Sequence, residues 1–540
     1  MFPVLSSAQI ARIASCGVVR PITRGEVLIE GGQTNVPFFV LEAGEIVVIR
    51  PSALEEILVA VVGPSQFTGD ISMILGRPAQ MRLRVSVSGQ VVQLTRDQML
   101  SLIHADAEIS ELLMRTLIQR RAAMVAHGVG DVLLIGSAGS AATLRIKQFL
   151  TRNNHPFKCL DLDQGADVGE LLARFEVDPA HLPVVICRGE TVLRNPSNQE
   201  IADCLGFNKA IDHVHRRDVV IVGAGPAGLA AAVYGASEGL DVLVIEASSP
   251  GGQAASSSKI ENYLGFPTGI SGRDLAASAE AQARKFGAEI MIATGAVELV
   301  REPGAYGVRL EGGLTIPART VVIATGARYR RPSFRNLGQF EGAGVYYNAT
   351  FMEAQLCCGD EVVVVGGANS AGQAALFLAQ SARCVHLLVR SGSLSAGMSR
   401  YLIRRIEETA TIQVRTRTEI VSLEGNGHLE CVQWRDGADA VMSKNIRHVF
   451  MMTGAEANTN WLNARVALDV SGFIKTGWDL TPEDLAAARW PLHRSPYLLE
   501  TSLPGVFAVG DVRCGNVKRM ASAVGEGSIA VSFVHRALAE

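Results

Sequence analysis

Short apolar segments that end in glycine turns dominate the first 125 residues. Four strand-like segments occur there: VLIEGG, FFVLEAGEIVVIR, ILVAVVGPSQF and LRVSVSGQVVQL. A run with apolar residues at helical spacing, SLIHADAEISELLMRTLIQRRAAMV, follows them. Many short strands with regular turns are typical of antiparallel barrels, so residues 1–125 are predicted to form a small β-barrel closed by a helix.

Residues 126–210 alternate strand and helix patterns. Three strand segments, DVLLIG, FKCLDLD and LPVVIC, are separated by the amphipathic segments ATLRIKQFLTRNN and VGELLARFE. NQEIADCLG provides a last helix. Strands that alternate with helices predict an α/β unit.

Two uncharged stretches, Val219 to Ser237 and Val362 to Ala382, are each long enough to suggest a membrane helix. Each one reaches a glycine-rich turn after a short β-branched strand, and Pro226 interrupts the first. A buried parallel strand, a glycine turn and a buried helix explain both stretches better, so no membrane segment is predicted.

Composition restricts the partners and the compartment. The sequence has 50 Lys and Arg against 53 Asp and Glu, a net charge of −3, which argues against a protein that coats nucleic acid or an anionic membrane. No basic-then-apolar leader opens it, and no cysteine pair has C-x-x-C spacing, which together predict a cytoplasmic protein without a disulfide framework. The cysteines are Cys16, Cys159, Cys187, Cys204, Cys357, Cys358, Cys384, Cys431 and Cys514.

The first glycine turn has the pattern of a dinucleotide-binding loop. A buried strand runs into GAGPAG and an alanine-rich helix, and the next strand ends in Glu246. Glycine permits the turn and the approach of a pyrophosphate, the helix N-terminus stabilises its charge, and the carboxylate accepts hydrogen bonds from a ribose diol. The predicted contacts are Gly223, Gly225, Pro226, Ala227, Gly228 and Glu246.

A second loop of the same kind follows the strand Val362–Val365. The next strand ends in Arg390 where the first pattern has an acid. A guanidinium there can pair with a 2′-phosphate, which favours NADP(H) over NAD(H), with Arg400 or Arg404 assisting; the alternative is a solvated strand-end residue. The predicted contacts are Gly366, Gly367, Asn369, Ser370, Ala371 and Arg390.

Two nucleotide folds in one chain predict a bound flavin and a diffusing nicotinamide. Ala324-Thr325-Gly326 and Thr453-Gly454 each follow an apolar strand and are expected to form the two crossings between the nucleotide domains. Near the end, GVFAVGD is a strand that ends in Asp511, and Arg519-Met520-Ala521 opens a helix. These segments are expected to complete the flavin domain, with Gly510 in the turn.

With Gly251-Gly252-Gln253 and Glu261-Asn262-Tyr263, these motifs make residues 216–540 resemble low-molecular-weight thioredoxin reductase. The resemblance implies an α/β fold with two Rossmann-like domains. FAD would bind 216–328 and 452–540, with Gly252, Gln253 and Asn262 among its contacts. NADPH would bind 329–451, with Gly454 at its boundary. It also implies that Asp511 bonds the ribitol and that the helix after Arg519 faces the isoalloxazine.

That family carries electrons to thioredoxin through a C-x-x-C with a neighbouring Asp. Alignment on the second glycine loop puts the cysteine positions at Ala349 and Met352 and the acid at Glu353, so the dithiol is missing. Weak catalytic candidates remain in Cys357, Cys358, Cys514 and Glu353. The adjacent Cys357 and Cys358 would need a strained ring to form a disulfide, and Cys514 has no visible basic partner.

The front segments carry resemblances as well. Residues 1–125 resemble a cyclic-nucleotide-binding domain, including Phe67-Thr68-Gly69-Asp70, but Ala79 stands where that family has its phosphate-binding Arg, and Arg77, Arg82 and Arg84 are out of register. Nucleotide binding and a docking role stay open. Residues 126–210 resemble glutaredoxin or thioredoxin. His181-Leu182-Pro183-Val184 matches the cis-proline loop, and Ser140 and Thr143 stand at the thiol positions. A redox-inert positioning domain and a spacer are the alternatives.

The function expected from these features is an NADPH-dependent FAD oxidoreductase that passes hydride from NADPH to flavin N5 and then to an unidentified acceptor. Candidate acceptors are a small redox protein or a low-molecular-weight disulfide. Two alternatives are a true thioredoxin-disulfide reductase that uses Cys357 and Cys358, and a non-catalytic flavin-based sensor. The family resemblance implies a homodimer; no metal site, nucleic acid or membrane partner is expected.

Overall fold

The computed structural model describes most of the chain, and every structural statement below concerns that part. The described residues are 3–50, 56–126, 130–137, 139–162, 181–188, 191–208, 211–257, 260, 263–302, 304–330, 332, 334, 336–341, 343–347, 349, 351–437, 440–453 and 455–540. The helix expected over 168–176 lies outside them, as do Asn262 and Gly454.

The front unit is a five-stranded antiparallel sheet in the order β1-β5-β3-β4, with β2 also paired to β5. Three register shifts occur between β3 and β5 around Gly44, where an added Cβ would lie 2.6 Å from the Val87 carbonyl oxygen, so glycine allows the strands to bend there. The elements are α1 Ser7–Cys16, β1 Val18–Ile22, β2 Val27–Ile29, β3 Phe38–Arg50, β4 Ile57–Val62, β5 Arg82–Leu94, α2 Arg96–Ala105 and α3 Ala107–Ala126.

The expectation of one helix over the segment from Ser101 to Val125 is wrong in one respect. The helix is broken at Asp106, whose backbone is extended, and Asp106 Oδ1 accepts a hydrogen bond from the Ile109 amide at 3.0 Å. A short carboxylate that satisfies a free amide is a common way to start a new helix, so α3 begins directly after α2 ends.

The second unit is a four-stranded mixed sheet in the order β7-β6-β8-β9. β6 is parallel to β7 and antiparallel to β8, and the Leu182–Pro183 bond just before β8 is cis, as the sequence predicts. The elements are β6 Val132–Gly136, α4 Ala141–Arg152, β7 Phe157–Asp161, β8 Val184–Cys187, β9 Thr191–Arg194 and α5 Asn198–Leu205.

The third unit is a seven-stranded sheet in the order β12-β11-β10-β15-β14-β13, with β26 paired to β15. Its parallel strands β10 and β11 are buried on both faces, as their continuous β-branched sequences predict. The elements are β10 Arg217–Val222, α6 Pro226–Ser237, β11 Val242–Ile245, α7 Gly272–Lys285, β12 Glu289–Met291, β13 Ala296–Glu302, β14 Ala305–Leu310, β15 Thr315–Ile323, β26 Val506–Ala508 and α13 Met520–Ala539.

The fourth unit is a five-stranded parallel sheet in the order β17-β24-β18-β19-β20, with a separate antiparallel sheet β21-β22-β23 beside it. Two short antiparallel strands, β16 Ala327–Tyr329 and β25 Ala455–Ala457, carry the chain into this unit and back. Its other elements are α8 Leu337–Phe340, β17 Val345–Tyr346, α9 Phe351–Leu356, β18 Glu361–Val365, α10 Asn369–Leu378, β19 Cys384–Val389, α11 Arg400–Glu407, β20 Ile412–Thr416, β21 Glu419–Glu424, β22 Cys431–Arg435, β23 Val441–Lys444 and β24 His448–Met451.

The return to the third unit includes α12 Pro482–Ala487 and short 3₁₀ turns at Asn460–Leu462, Gly477–Asp479 and Gly510–Val512. Further 3₁₀ turns lie at Ile71–Met73 and Ala254–Ser256. None of the helices in the described residues is both long and apolar enough to cross a bilayer.

A buried arginine joins three of the units. Arg77 of the front unit donates from Nη1 to the Asn153 carbonyl oxygen at 2.5 Å and from Nη2 to Glu280 Oε1 of the third unit at 3.1 Å. Its guanidinium also lies 4.8 Å from the ring centroid of Phe207. A buried charge is tolerated only when it is paired and hydrogen-bonded, so these contacts fix the relative positions of the units.

We expect Arg77→Met to lower stability by about 2 kcal/mol, because charge-assisted hydrogen bonds are lost from a buried site. Glu280 keeps its 3.1 Å ion pair with Arg284, which limits the penalty of a stranded carboxylate. The urea midpoint of the first unfolding transition measures the effect. Arg115→Met is the control, since Arg115 pairs with Glu111 on the surface and such pairs contribute little. Equal midpoints for the two variants would contradict the role of Arg77.

Candidate functional site

The loop between β10 and α6 is closed by contacts that leave no room for side chains. A Cβ added at Gly223 would lie 2.4 Å from the Ala324 carbonyl oxygen, and one added at Gly228 would lie 1.9 Å from the Gly223 carbonyl oxygen. Gly223 also has a φ of 106°, which side chains disfavour. Both predicted glycines are therefore required for the helix to start this close to the strand.

The other side of the same loop is open. Gly225 is the N-cap of α6 and no side chain caps the helix. A Cβ at Gly225 would have nothing within 4 Å. Pro226 occupies the first helical position, where its missing amide costs nothing. The free amides of the first turn therefore face open space, which is the arrangement that binds a pyrophosphate.

Glu246 lies beside this loop at the end of β11. Its Oε2 accepts a hydrogen bond from the Ala224 amide at 2.8 Å and its Oε1 accepts one from the Ser248 amide at 2.9 Å. Burial raises the pKa of Glu246, although these hydrogen bonds oppose the shift. The carboxylate is held in a fixed orientation with lone pairs left for a ribose diol.

Gly252 and Gln253 lie against the first loop, which sequence spacing alone does not indicate. A Cβ at Gly252 would lie 3.1 Å from the Gly225 Cα. Gln253 donates from Nε2 to the carbonyl oxygen of Ala327, at the start of the crossing into the fourth unit. This segment therefore links the loop to the crossing, and the site extends from Gly225 to Ala327.

The two crossings are tied together by reciprocal hydrogen bonds. Thr325 donates from Oγ1 to the Asn458 carbonyl oxygen at 2.8 Å, and Asn458 Nδ2 donates to the Thr325 carbonyl oxygen at 2.8 Å. Ala324 and Gly326 flank this pair. Asn458 is a positioning residue that the sequence pattern does not reveal, because it lies outside any motif.

Asp511 lies in the 3₁₀ turn after β26, and burial raises its pKa. Its carboxylate makes no hydrogen bond or ion pair with the residues described. The turn is anchored next to it, because the Gly510 amide donates to Glu526 Oε2 at 2.7 Å and Arg513 pairs with Glu526 Oε1 at 2.6 Å. A fixed carboxylate without a protein donor fits the hydroxyl groups of a ribitol chain.

The helix α13 brings the end of the chain to the first loop. Arg519 is its N-cap, and Met520 and Ala521 open its first turn. A Cβ at Gly527 would lie 2.2 Å from the Ala227 carbonyl oxygen, so α13 packs directly on α6. Gly223, Gly228 and the start of α13 therefore lie in one region of the third unit, formed by segments from both halves of the sequence; Asn262 lies outside the described residues.

The second loop repeats the closed geometry in the fourth unit. A Cβ at Gly366 would lie 2.3 Å from the Met452 carbonyl oxygen, and one at Gly367 would lie 2.9 Å from Val389 Cγ1. Asn369 Oδ1 accepts a hydrogen bond from the Ser399 amide at 2.7 Å. In the following turn of α10, Ser370 is exposed and Ala371 is buried.

The basic residues near this loop differ in their pairing. Arg390 is exposed directly after β19 and makes no ion pair within the described part of the chain. Arg404 pairs with Glu408 at 2.9 Å. Of Arg390 and Arg404, Arg390 therefore has the guanidinium that is available to bind a phosphate.

Neither Cys357 nor Cys514 lies in an environment that activates a thiol. Cys357 is fully buried, its Sγ donates to the Ala354 carbonyl oxygen at 3.6 Å, and burial raises its pKa to about 12. Cys358 is exposed. Burial, together with a hydrogen bond to Asp469, raises the pKa of Cys514. Thiolate chemistry needs a lowered pKa, so neither Cys357 nor Cys514 has the environment of a redox cysteine.

Glu353 is buried and accepts a hydrogen bond from Gln148 Nε2 of the second unit at 2.8 Å. Leu144, one turn earlier on α4, packs in the same core as Tyr346, Ala354 and Cys357. Helix α4 therefore contacts the residues that directly follow the segment at which the sequence places the family's dithiol.

Arginines near the predicted cyclic-phosphate position of the front unit are paired within the protein. Arg121 Nη1 donates to Gln80 Oε1 at 2.7 Å and pairs with Asp70 Oδ2 at 3.2 Å. Arg82 and Arg84 both pair with Glu56, on the sheet surface. No cluster of His, Cys, Asp and Glu with metal-ligand geometry occurs in the described residues.

Comparison with known proteins assigns two regions. Residues 217–527, more than half of the chain, match the pyridine nucleotide-disulphide oxidoreductase family, and residues 19–106 match the cyclic nucleotide-binding domain. A thioredoxin reductase from Mycolicibacterium smegmatis is 32% identical over 324 residues, which cover 60% of this chain and 97% of that protein. A thioredoxin reductase from Ureaplasma parvum is 32% identical over 320 residues, 58% of this chain and 95% of that protein.

Solved structures agree with this assignment. The thioredoxin reductase of T. acidophilum matches 59% of this chain and 98% of its own length, with a TM-score of 0.52 and 27% identity. That of Lactococcus lactis matches 60% of this chain and 99% of its own length, with a TM-score of 0.54 and 24% identity, and supports the fold alone. The cofactors of this fold are FAD and NADPH, and the two glycine loops fit them. The chain therefore belongs to the pyridine nucleotide-disulphide oxidoreductase family and is an NADPH-dependent FAD oxidoreductase that resembles thioredoxin reductase.

Proposed function

We propose that this oxidoreductase passes electrons from its flavin directly to a low-molecular-weight disulfide, without a cysteine relay of its own. When bound, FAD accepts hydride from NADPH at N5 and supplies the two electrons for the acceptor. The residues of this chain supply the binding, the orientation and the exclusion of water around that chemistry.

The contact of α4 with the segment around Glu353 carries this proposal. Relatives that reduce thioredoxin would need this surface free, because their dithiol lies at the positions of Ala349 and Met352. Here Gln148 donates to Glu353 at 2.8 Å, and Leu144 is buried against Ala354. A free thioredoxin would have to displace α4, whereas a small disulfide does not depend on that surface.

The thiol environments support the same conclusion. The segment next to Glu353 offers Cys357, whose pKa burial raises to about 12, and the neighbouring Cys358 points to the surface. A buried thiol and an exposed one at adjacent positions are poorly placed to form a disulfide. We therefore assign Cys357, Cys358 and Cys514 no role in electron transfer.

We assign the FAD contacts to the third unit. The open amides after Gly225 hold the pyrophosphate, Glu246 accepts from the adenosine ribose, and Asp511 accepts from the ribitol. With FAD bound, the N-terminus of α13 would stabilise negative charge on the reduced flavin. Asn262 and Gly454 keep their proposed roles on the resemblance alone.

We propose the following domain organisation: a cyclic-nucleotide-binding-like barrel over 1–125, a thioredoxin-like domain over 126–210, an FAD domain over 216–328 and 452–540, and an NADPH domain over 329–451. The order β7-β6-β8-β9 and the cis bond before Pro183 support the thioredoxin-like domain. Within the front domain Arg121 pairs with Asp70, and Arg82 and Arg84 pair with Glu56. Because these guanidinium groups already have partners, a docking role is favoured over nucleotide binding.

Nine free thiols support a cytoplasmic location. A homodimer remains a proposal from the family.

Gly225→Ala tests the FAD assignment. We expect the flavin absorbance per protein to fall by about tenfold or more, because the added methyl enters the space through which the backbone meets the pyrophosphate. Gly338→Ala is a matched control, since Gly338 also has open space around an added Cβ. If Gly225→Ala purifies with a full complement of FAD, the assigned loop is wrong.

Arg390→Ala tests the assignment of the NADPH phosphate. Loss of one charge-assisted contact should raise KM for NADPH by about tenfold, while the constants for NADH stay unchanged. The control is Arg383→Ala, an exposed arginine that pairs with Glu361 at 3.3 Å. Equal increases in the KM values for NADPH and NADH would contradict the proposed contact between Arg390 and the 2′-phosphate.

The acceptor is tested with the purified flavoprotein. NADPH should bleach the flavin in stopped-flow measurements, and oxidised glutathione should restore the absorbance faster than thioredoxin does. The Cys357→Ala/Cys358→Ala double variant should keep this turnover, since neither thiol takes part. A loss of turnover in the double variant would favour the cysteine-dependent reductase, and a flavin that NADPH does not bleach would favour a sensor.

A further inference from the structure

A small, largely enclosed cavity lies between the front unit and the second unit. Gln80 and Arg121 line it from the front unit, and Asp131, His155 and Arg188 line it from the second unit. About 10 Å³ of the cavity is open to the centre of a water molecule, which is room for one species of that size. The cavity lies outside both nucleotide sites, and no sequence motif indicates it.

Arg121 brings an unsatisfied donor to this cavity. Its side chain is 1% exposed. Its Nε donates to the Asn154 carbonyl oxygen at 2.7 Å, and its Nη1 donates to Gln80 Oε1 at 2.7 Å. The buried Nη2 has no hydrogen-bond partner among the described residues. Because a buried N–H without an acceptor carries its full desolvation penalty, this nitrogen requires an acceptor that those residues do not supply.

Arg188 supplies a second donor, from the second unit. Its amide donates to the Asp131 carbonyl oxygen at 2.6 Å, and its Nη2 donates to the Leu205 carbonyl oxygen at 3.4 Å. The buried Nε lies 3.6 Å from Asp131 Oδ2 and makes no hydrogen bond with the described residues. A Cβ at Gly32 would lie 3.1 Å from Arg188 Nη1, so this guanidinium reaches the front unit. An acceptor shared by Arg121 and Arg188 would therefore join the two units.

The lining of the cavity is electropositive. Three guanidinium groups and one carboxylate line it, those of Arg77, Arg121, Arg188 and Asp131. The partners of Arg77 and Arg121 are Glu280 and Asp70, which do not belong to the lining. Burial lowers the pKa of Arg121 and the charge of Arg77 adds to that shift, while the carboxylates oppose it. Such a lining favours an anion over a neutral water molecule.

The single carboxylate of the lining is already engaged. Asp131 Oδ1 lies 3.2 Å from His155 Nε2, and both side chains are buried. Burial lowers the pKa of His155, and the charges of Arg121 and Arg77 lower it further, although Asp131 acts in the opposite direction. The imidazole is therefore neutral at pH 7. It donates to Asp131 without adding a charge to the cavity.

Size and surface chemistry select a monatomic anion. A tetrahedral oxyanion needs several times the space of one water molecule, whereas chloride is only slightly larger than water. Pro78, Leu205 and Phe207 supply apolar surface to the lining. A weakly hydrated halide loses little on contact with such surface, whereas a strongly hydrated oxyanion loses more.

We propose that this cavity is a halide-binding site in which one chloride accepts hydrogen bonds from Arg121 Nη2 and Arg188 Nε. The ion joins α3 of the front unit to the residue that follows β8 of the second unit. It strengthens the contact between the two units that Arg77 also makes through the Asn153 carbonyl oxygen. The site takes no part in the flavin reaction, so it stands or falls independently of the proposed acceptor.

Anomalous diffraction tests the site in the unmodified chain. Crystals of the full-length flavoprotein are grown with sodium bromide in place of chloride, and data are collected at the bromine edge. We expect an anomalous peak in the cavity, in contact with Arg121 Nη2 and Arg188 Nε. Density for a water without anomalous signal, or bromide on the surface alone, would overturn the proposal.

Thermal unfolding tests the site in solution. We expect the first transition to rise by about 2–4 °C when gluconate is replaced by chloride at constant ionic strength, because an ion that binds only the folded state stabilises it. Arg188→Gln changes a partly exposed side chain and should abolish this shift. Arg115→Gln is the control and should keep it, since Arg115 pairs with Glu111 on the surface. Equal transition temperatures in the two salts for the unmodified chain would contradict the site, whether or not a variant folds.

Discussion

The close approach of backbone to backbone around α6 is the constraint on which the flavin unit depends. Gly228 brings the helix against the Gly223 carbonyl oxygen, and Gly527 brings α13 against Ala227. A methyl group at either position would lie about 2 Å from an oxygen and force the helices apart. The N-termini of α6 and α13 would then be displaced from each other, and the positions of Glu246 and Asp511 relative to each other would change.

The local parts of the site are the parts that the sequence predicts well. The strand, the glycine loop, the helix and Glu246 lie within one short segment, and their roles follow from conformational rules that need no distant contact. The break at Asp106 is a local feature as well, but the apolar periodicity continues across it and hides it. The cis bond at Pro183 was indicated by the loop sequence.

The features that the sequence does not reveal join distant residues. Asn458 and Thr325 are hydrogen-bonded, although the whole fourth unit separates them in the sequence. Glu526 of α13 accepts a hydrogen bond from Gly510 in the turn that contains Asp511. Such pairs depend on how elements pack, and no spacing rule in one sequence encodes that packing.

The C-terminal half of helix α4 is hydrogen-bonded to two different units of the fold. Gln148 bonds Glu353 of the fourth unit, and Arg152 donates to Ser256 of the third unit at 2.7 Å. The third and fourth units therefore cannot shift relative to each other without breaking one of these hydrogen bonds or displacing α4. Because Asn153, directly after α4, accepts a hydrogen bond from Arg77, a displacement of α4 would also disturb the contact with the front unit.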